Sequence, residues 1–123
     1  MGVDMYMVSI ITRREKLLAL VDALGEVGVK GLTVTHVEGF GTQLGVKERY
    51  RGVEAEIHMF PKVLVETVIS RVPVDSVIET AKKALYTGRP GDGKLSVSRI
   101  TKTVRVRTGE TDVAALRNPD EPE

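Results

Sequence analysis

The sequence contains no cysteine, only two histidines and only 4% aromatic residues. Without cysteine the chain has no disulfide scaffold, no thiolate metal site and no cysteine nucleophile. Two histidines are too few for a three-histidine zinc site. The few aromatic side chains provide no stacking platform for nucleic acid. These absences exclude several classes of metalloprotein, thiol enzyme and nucleic-acid-binding protein.

An excess of charge and long hydrophobic runs are also lacking. Eighteen Lys and Arg residues face 17 Asp and Glu residues, for a formal net charge of +1. This balance argues against broad binding to nucleic acid or membrane surfaces, which needs an extended positive field. The apolar stretches 5–11 and 57–69 are too short or too interrupted to span a bilayer, which takes about 20 apolar residues. The first residues lack the basic region of a secretion signal, so we expect a cytoplasmic protein.

The 123 residues suit one globular domain, and their periodicity predicts its elements in order. The first half reads as a strand at 5–11, a helix from Glu15 that Gly28 ends, and a strand at 31–38. The apolar stripe predicted for the helix consists of Leu17, Leu18, Val21, Leu24 and Val27.

The second half repeats this order. A strand at 60–69 precedes a helix that Pro73 opens and Gly88 ends, and a strand follows at 95–100. The apolar face predicted for that helix consists of Val77, Ile78, Ala81, Ala84 and Leu85. The double β-α-β order predicts a ferredoxin-like α+β domain over residues 1–116, followed by a polar tail at 117–123.

Two segments carry the candidate chemistry. Residues 39–58 form a connection of about 20 residues between strands, and such long connections are usually functional. The segment from Gly88 to Lys94 matches G-x-x-x-x-G-K, but Leu95 stands where a P-loop has Ser or Thr, and a strand rather than a helix follows. A P-loop is therefore rejected. The glycines still allow backbone N–H groups to converge on an anion beside Lys94; the alternative is a plain tight turn.

A basic segment follows the glycine loop. Residues 82–107 contain eight basic residues and one acid, Asp92. Alternation over 103–107 predicts a strand with Arg105 and Arg107 on one face, where two guanidinium groups would suit phosphate oxygens. A phosphorylated ligand is expected there. His36 and His58 are interpreted as structural or surface imidazoles, and Glu54 and Glu56 give no acid/base pair.

Together these residues resemble the PII nitrogen-regulatory signalling proteins. The resemblance runs in order and spacing through residues 26–35, Gly39-Phe40-Gly41, 50–54, 60–63, 87–94 and 105–110. It implies a compact homotrimer of ferredoxin-like subunits, with ATP and ADP competing for clefts between subunits. It also names three loops: a T-loop at about 41–58, a B-loop at about 87–94 and a C-loop at about 105–112.

The resemblance implies specific ligand residues. The nucleotide-binding set would be Thr33, Gly41, Thr42, Val68, Gly91, Asp92, Gly93, Lys94, Arg105, Val106 and Arg107. Of these, Thr33, Gly41 and Val68 would line the cleft from the neighbouring subunit. Gln43 would help hold Mg²⁺ with ATP, and Gln43 and Lys62 would bind 2-oxoglutarate. Arg51 matches the T-loop arginine that blocks an ammonium transporter in the family. Ala55 and Val53 occupy the positions that relatives modify on Tyr and Ser, so no such modification is expected.

Three functions therefore stay open. The first is a non-enzymatic PII sensor that regulates a transporter or metabolic enzyme. The second is a divergent PII-like regulator that answers another small molecule, suggested by Thr42 in place of a family Arg and by the altered neighbours of Gln43. The third is a small ferredoxin-like phosphotransferase, which would need His36 or His58 to face the basic cleft.

Overall fold

The computed structural model describes residues 4–40 and 59–117 as an α+β unit. The elements are β1 (Met5–Arg13), a 3-10 turn (Arg14–Lys16), α1 (Leu17–Glu26), β2 (Thr33–Phe40), β3 (Met59–Ile69), α2 (Val74–Leu85), β4 (Lys94–Ile100) and α3 (Val113–Leu116). Within these ranges, no helix is long and apolar enough to cross a membrane.

The four strands form one antiparallel sheet in the order β2-β3-β1-β4. Each β-α-β half places its two strands apart with a strand of the other half between them, which is the arrangement of the ferredoxin-like fold. The prediction of that fold from the element order is confirmed. Its long connection lies between β2 and β3, over residues that the structure does not describe.

The core lies between one face of the sheet and the two long helices. Alternate residues of β1 and β3 point to this face, because side chains along a strand alternate. The fully buried members are Val8, Ile10, Val63 and Val65 from the strands and Leu20, Leu24, Val77 and Ala81 from α1 and α2. The predicted apolar face of α2 is confirmed at Val77, Ala81 and Leu85.

The predicted stripe of α1 is wrong at one position. Leu18 is 77% exposed, whereas Leu20, which the pattern did not include, is fully buried. The predicted helix began at Glu15, but Arg14–Lys16 form a 3-10 turn and the α-helix begins at Leu17. At about 100° per residue, Leu20 lies roughly 40° from Leu24 around the helix and Leu18 roughly 120°, so Leu20 and not Leu18 shares the buried face.

The start of β2 also differs from the prediction. The strand begins at Thr33 rather than Gly31. The hydroxyl of Thr67 donates to the carbonyl of Gly31 at 2.6 Å, so this carbonyl bonds a side chain instead of extending the ladder. Gly28, with φ of 106°, ends the helical segment as predicted.

The predicted strand at 103–107 is wrong. Val104 makes a single bridge to Thr111, and the backbone N–H of Arg105 donates to the carbonyl of Glu110 at 2.8 Å. Residues 106–108 form a turn, with Gly109 at φ of 77°. Because the chain turns here, strand alternation does not place Arg105 and Arg107 side by side.

Within residues 4–40 and 59–117, both long helices pack on the first face of the sheet, and we call the second face the open face. It presents Ile11, which is 43% exposed, and the side chains that alternation and strand register place on the same face, among them Met7, Ser9, Leu64, Glu66 and Lys94. Helix α3 lies at one end of it, where Val113 and Leu116 line a cavity with Met7 and Val68.

The corrected helix phase predicts a difference between two neighbouring leucines. Leu20→Ala should lower the free energy of unfolding by about 2–5 kcal/mol, because it leaves a cavity in the core. Leu18→Ala, its matched control, should change it by less than about 0.5 kcal/mol. Equilibrium urea unfolding at one fixed protein concentration measures both. Equal losses for the two variants would contradict the helix phase.

Candidate functional site

The glycine loop at 87–94 lies against the ends of β1 and β3. Three side chains fix its carbonyl groups: the Thr12 hydroxyl donates to the Asp92 carbonyl at 2.9 Å, Lys62 Nζ to Gly91 at 3.0 Å, and Arg13 Nη2 to Pro90 at 2.5 Å. The loop therefore has a defined conformation before any ligand arrives.

The carboxylate of Asp92 holds the loop together from inside. It accepts hydrogen bonds from Arg13 Nη1 at 2.7 Å, from the Thr87 hydroxyl at 2.5 Å, and from the Thr87 and Gly88 N–H groups at 2.8 and 3.0 Å. The bonds from Thr87 do most to hold the pKa of Asp92 well below its usual range, and Arg13 adds to them. Both oxygens are fully used, so Asp92 braces the loop from within.

The loop passes close to β1, and this approach requires glycine. Gly91 and Gly93 have φ of 100° and 115°, which side chains rarely adopt. A Cβ atom at Gly93 would lie 2.0 Å from the carbonyl oxygen of Ile11. Only glycine fits position 93. The backbone geometry therefore explains why the loop has glycine at positions 91 and 93.

Three cations gather at this end of the open face. Arg13 is in register with Lys62, and Lys94 with Ile11, so alternation places all three side chains on the same face. Desolvation and the neighbouring Arg13 lower the pKa of Lys62, although Glu15 and Asp92 oppose the shift. We call Arg13, Lys62 and Lys94 the cationic end. Its concentrated charge beside a glycine loop suits an anion.

A cavity of about 550 Å³ lies at the other end of β2 and β3. Its wall includes two residues predicted to bind nucleotide, Thr33 and Val68, together with residues 28–32 and part of α3. Glu66 also lines it and lies four residues from Lys62 on β3, or about 13 Å along the strand. The cavity and the cationic end therefore lie along the same face.

The C-loop arginines lie away from the cationic end. Arg105 bonds to Glu110 and to the carbonyls of Ala115 and Arg117, near the first residues of β1, whereas the glycine loop touches its last residues. Val106 is 96% exposed, and Arg107 is exposed as well. One chain therefore does not bring the two predicted phosphate-binding elements together.

Several predicted residues lie outside the part of the chain that the structure describes. They are Gly41, Thr42, Gln43, Arg51, Val53, Ala55 and His58. His36 is exposed on β2 opposite Val63, so alternation places it on the other sheet face from Lys62. Over residues 4–40 and 59–117, no group of three His, Asp or Glu residues is arranged to hold a metal ion.

Sequence reasoning missed the residues that brace the site. Thr12, Arg13 and Thr87 hold the glycine loop, and Glu110 holds Arg105. The only signal for the loop braces was the basic pair Arg13-Arg14 directly after the first strand. No feature of the sequence indicated the role of Glu110, because a carboxylate near a basic segment is common on protein surfaces.

Comparison with known proteins identifies the family. The family model of nitrogen regulatory protein P-II matches residues 5–110. The chain belongs to the P-II family. The match covers β1 to β4, the glycine loop and the turn at 106–108, and it ends before α3. The P-II resemblance found in the sequence is thereby confirmed.

Relatives of this P-II chain extend along nearly all of it. Nitrogen regulatory protein GlnK of Escherichia coli K12 is 45% identical over 112 residues, covering 91% of this chain and all of the relative. A nitrogen regulatory PII-like protein of Bacillus subtilis is 45% identical over 116 residues, covering 94% of this chain and all of the relative. Both relatives are named as regulatory proteins.

Solved structures show the same fold. A structure of the B. subtilis GlnK-ATP complex has a TM-score of 0.78 at 39% identity, covering 94% of this chain and 98% of that one. A structure of B. subtilis GlnK has a TM-score of 0.77 at 45% identity, covering 91% and 98%. The fold of this P-II chain is therefore that of GlnK.

The brace at Asp92 predicts a pH dependence of stability. The lowered pKa means that the ionised form stabilises the fold above the pKa of the unfolded chain, and that this stability is lost as the pH falls through the folded pKa. Asp92→Asn should be less stable at neutral pH and should lose less stability between about pH 5 and pH 2.

Urea unfolding across this pH range measures both effects. Asp22→Asn, at an exposed position on α1, serves as the control and should keep the wild-type profile. An Asp92→Asn profile parallel to that of the wild type at every pH would show that the carboxylate does not brace the folded loop.

Proposed function

We propose that this P-II protein binds ATP and ADP in clefts between the subunits of a homotrimer and regulates a transporter or metabolic enzyme through its T-loop. The observation that carries the proposal is the open face itself. A braced glycine loop and three cations lie at one end of it, and the cavity that Thr33 and Val68 help to line lies at the other. An extended nucleotide, with phosphates at one end and a base at the other, would meet the glycine loop of one copy and the cavity of its neighbour.

The separation of Arg105 from the glycine loop supports assembly of the site from several copies of the chain. In one chain Arg105 and the glycine loop lie at opposite ends of β1, so a second chain is needed to bring an arginine of the C-loop to the phosphates. The uncovered open face, with Ile11 43% exposed, offers apolar surface for that contact. The trimer follows from the family resemblance, and the ATP complex of B. subtilis GlnK supports the choice of ligand.

The residues take the following roles in the proposal. The phosphates would lie on the backbone of Gly91 and Gly93 with Lys94, and would meet Arg105, Val106 and Arg107 of a neighbouring copy. Thr33, Gly41 and Val68 of that neighbouring copy would line the cleft for the base, with Thr42 beside Gly41. Asp92 contributes by shaping the loop, because its oxygens are already used.

Magnesium and 2-oxoglutarate would enter this site with ATP. Mg²⁺ suits phosphate oxygens and needs few protein ligands, so Gln43 and the nucleotide would hold it without a dedicated carboxylate cluster. A carboxylate of 2-oxoglutarate would pair with Lys62, whose ammonium group already donates to the Gly91 carbonyl. Binding of 2-oxoglutarate would thus remove the hydrogen bond that Lys62 donates to the Gly91 carbonyl.

The T-loop at 41–58 would transmit the signal. A nucleotide shifts the loop population only if it binds the loop conformations with different affinity. Arg51 would contact an ammonium-transporter-type partner, so a cytoplasmic protein would reach the membrane only through that partner. With Ala55 and Val53 at the modified positions of relatives, ligands alone would control the loop. No catalytic residue and no nucleic-acid partner enter this proposal.

One observation favours the second function, a divergent regulator for another small molecule. Lys62 is already bonded to Gly91, and Thr42 stands beside Gln43 where the resemblance implies Arg, so a dicarboxylate would find fewer free cationic donors here. The phosphotransferase has less support, because His36 lies on the sheet face opposite Lys62.

Calorimetry should detect ATP and ADP binding to the wild-type protein. Lys94→Ala should weaken binding by about 10- to 100-fold, the usual effect of losing one hydrogen bond to a charged group. Lys83→Ala, an exposed lysine on α2, should leave the affinity unchanged. Absence of binding of either nucleotide to the wild type would refute the proposed function.

A second titration separates the two regulators. If the protein senses 2-oxoglutarate, this acid should raise ATP affinity in the presence of Mg²⁺, and ATP should raise the affinity for the acid by the same factor. Lys62→Ala should abolish this coupling. ATP binding with no effect of 2-oxoglutarate in the wild type would favour the divergent regulator.

A further inference from the structure

The C-terminal helix α3 is tied to the C-loop by one side chain. Arg105 Nη1 donates to Glu110 Oε1 at 2.6 Å, and Nη2 donates to the carbonyl of Ala115 at 3.0 Å and to that of Arg117. Only 19% of the Arg105 side chain is exposed. This residue therefore links the turn after Val104 to the segment that ends the described chain.

Glu110 holds the guanidinium group in this position. Its Oε1 also accepts the Thr108 hydroxyl at 2.9 Å, and its Oε2 lies 3.9 Å from Nη2 of Arg117. The bond from Thr108 and the nearby charges of Arg105 and Arg117 lower the pKa of Glu110, so it stays ionised at neutral pH. Two cations and a carboxylate thus form a closed network around α3.

The donors of Arg105 are arranged so that a phosphate would compete with α3. A guanidinium binds phosphate best through two parallel N–H groups, either Nε with Nη2 or Nη1 with Nη2. Both pairs include Nη2. Because Nη2 already donates to the carbonyls of Ala115 and Arg117, a phosphate that uses Nη2 in either pair competes with these contacts of the docked α3 segment.

We propose that Arg105 is a clasp that docks α3 on the open face, and that a phosphate group binding Arg105 through two donors releases α3. This inference rests on the proposed function, since the phosphate is that of the bound nucleotide. Arg105 keeps an anionic partner when the phosphate binds. The carbonyls of Ala115 and Arg117 that it leaves are then hydrated by water. Nucleotide binding therefore changes the position of the C-terminal segment as well as that of the T-loop.

Release of α3 also changes the cavity. Val113, Ala115 and Leu116 form one wall of it, facing Thr33 and Val68. When Arg105 releases α3, these three residues move away from the cavity, and the end of the open face beside β2 becomes accessible. Phosphate binding at Arg105 and access to the cavity are thus coupled through a single guanidinium group.

The first test examines the clasp without nucleotide. Amide hydrogen exchange of residues 111–117, followed by mass spectrometry on the full chain, should be faster in Arg105→Ala than in the wild type by on the order of tenfold. Glu110→Gln, which keeps the size of the side chain, should give a smaller increase. Arg14→Ala removes an exposed arginine at the far end of β1 and should have no effect. Wild-type exchange in both Arg105→Ala and Glu110→Gln would overturn the clasp.

The second test adds saturating ATP, with binding monitored in parallel by calorimetry. Exchange should become faster at 111–117 and slower at 87–94 in the wild type, and ATP should cause no further increase at 111–117 in Arg105→Ala. ATP binding with 111–117 still protected would overturn the release. Absence of ATP binding would refute the proposed function and the release with it, while the first test would still decide whether the clasp exists.

Discussion

The hydrogen bonds of the Asp92 carboxylate hold the candidate site in shape. One side chain accepts from Arg13, far away in the sequence, and from the backbone and hydroxyl of Thr87 in its own loop. Without this anchor the glycine-rich segment would have many conformations to lose on binding an anion. The carboxylate supplies that order during folding, so a ligand meets N–H groups that are already directed.

The antiparallel sheet sets the geometry around this anchor. One face is buried under α1 and α2, and the other keeps the side chains that a ligand or a second chain can reach. The loops at the two ends of β1 are thereby held a fixed distance apart on the same sheet. In the proposed function, a site that needs both ends would be completed between copies, and ligand binding would then be coupled to assembly.

The cations of the site already have internal acceptors. Lys62 donates to the carbonyl of Gly91, and Arg105 donates to those of Ala115 and Arg117. In the proposed function, an anion would displace these acceptors, and its affinity would be the difference between two sets of hydrogen bonds. Binding would then rearrange the segments that carry the displaced carbonyls, as a sensor requires.

Periodicity and turn residues in the sequence determined the order of strands and helices, the end of α1 near Gly28 and the position of the glycine loop, because these depend on neighbours a few residues apart. The sequence did not place Leu18 outside and Leu20 inside, because the apolar run at 17–21 allows more than one stripe, and packing against the sheet decides which one is buried. The pairing of Asp92 with Arg13, and that of Arg105 with the carbonyls of Ala115 and Arg117, were decided only by the tertiary structure. Side-chain hydrogen bonds across 10 to 79 residues leave no periodic signal, because their partners meet only when the sheet and the turns have formed.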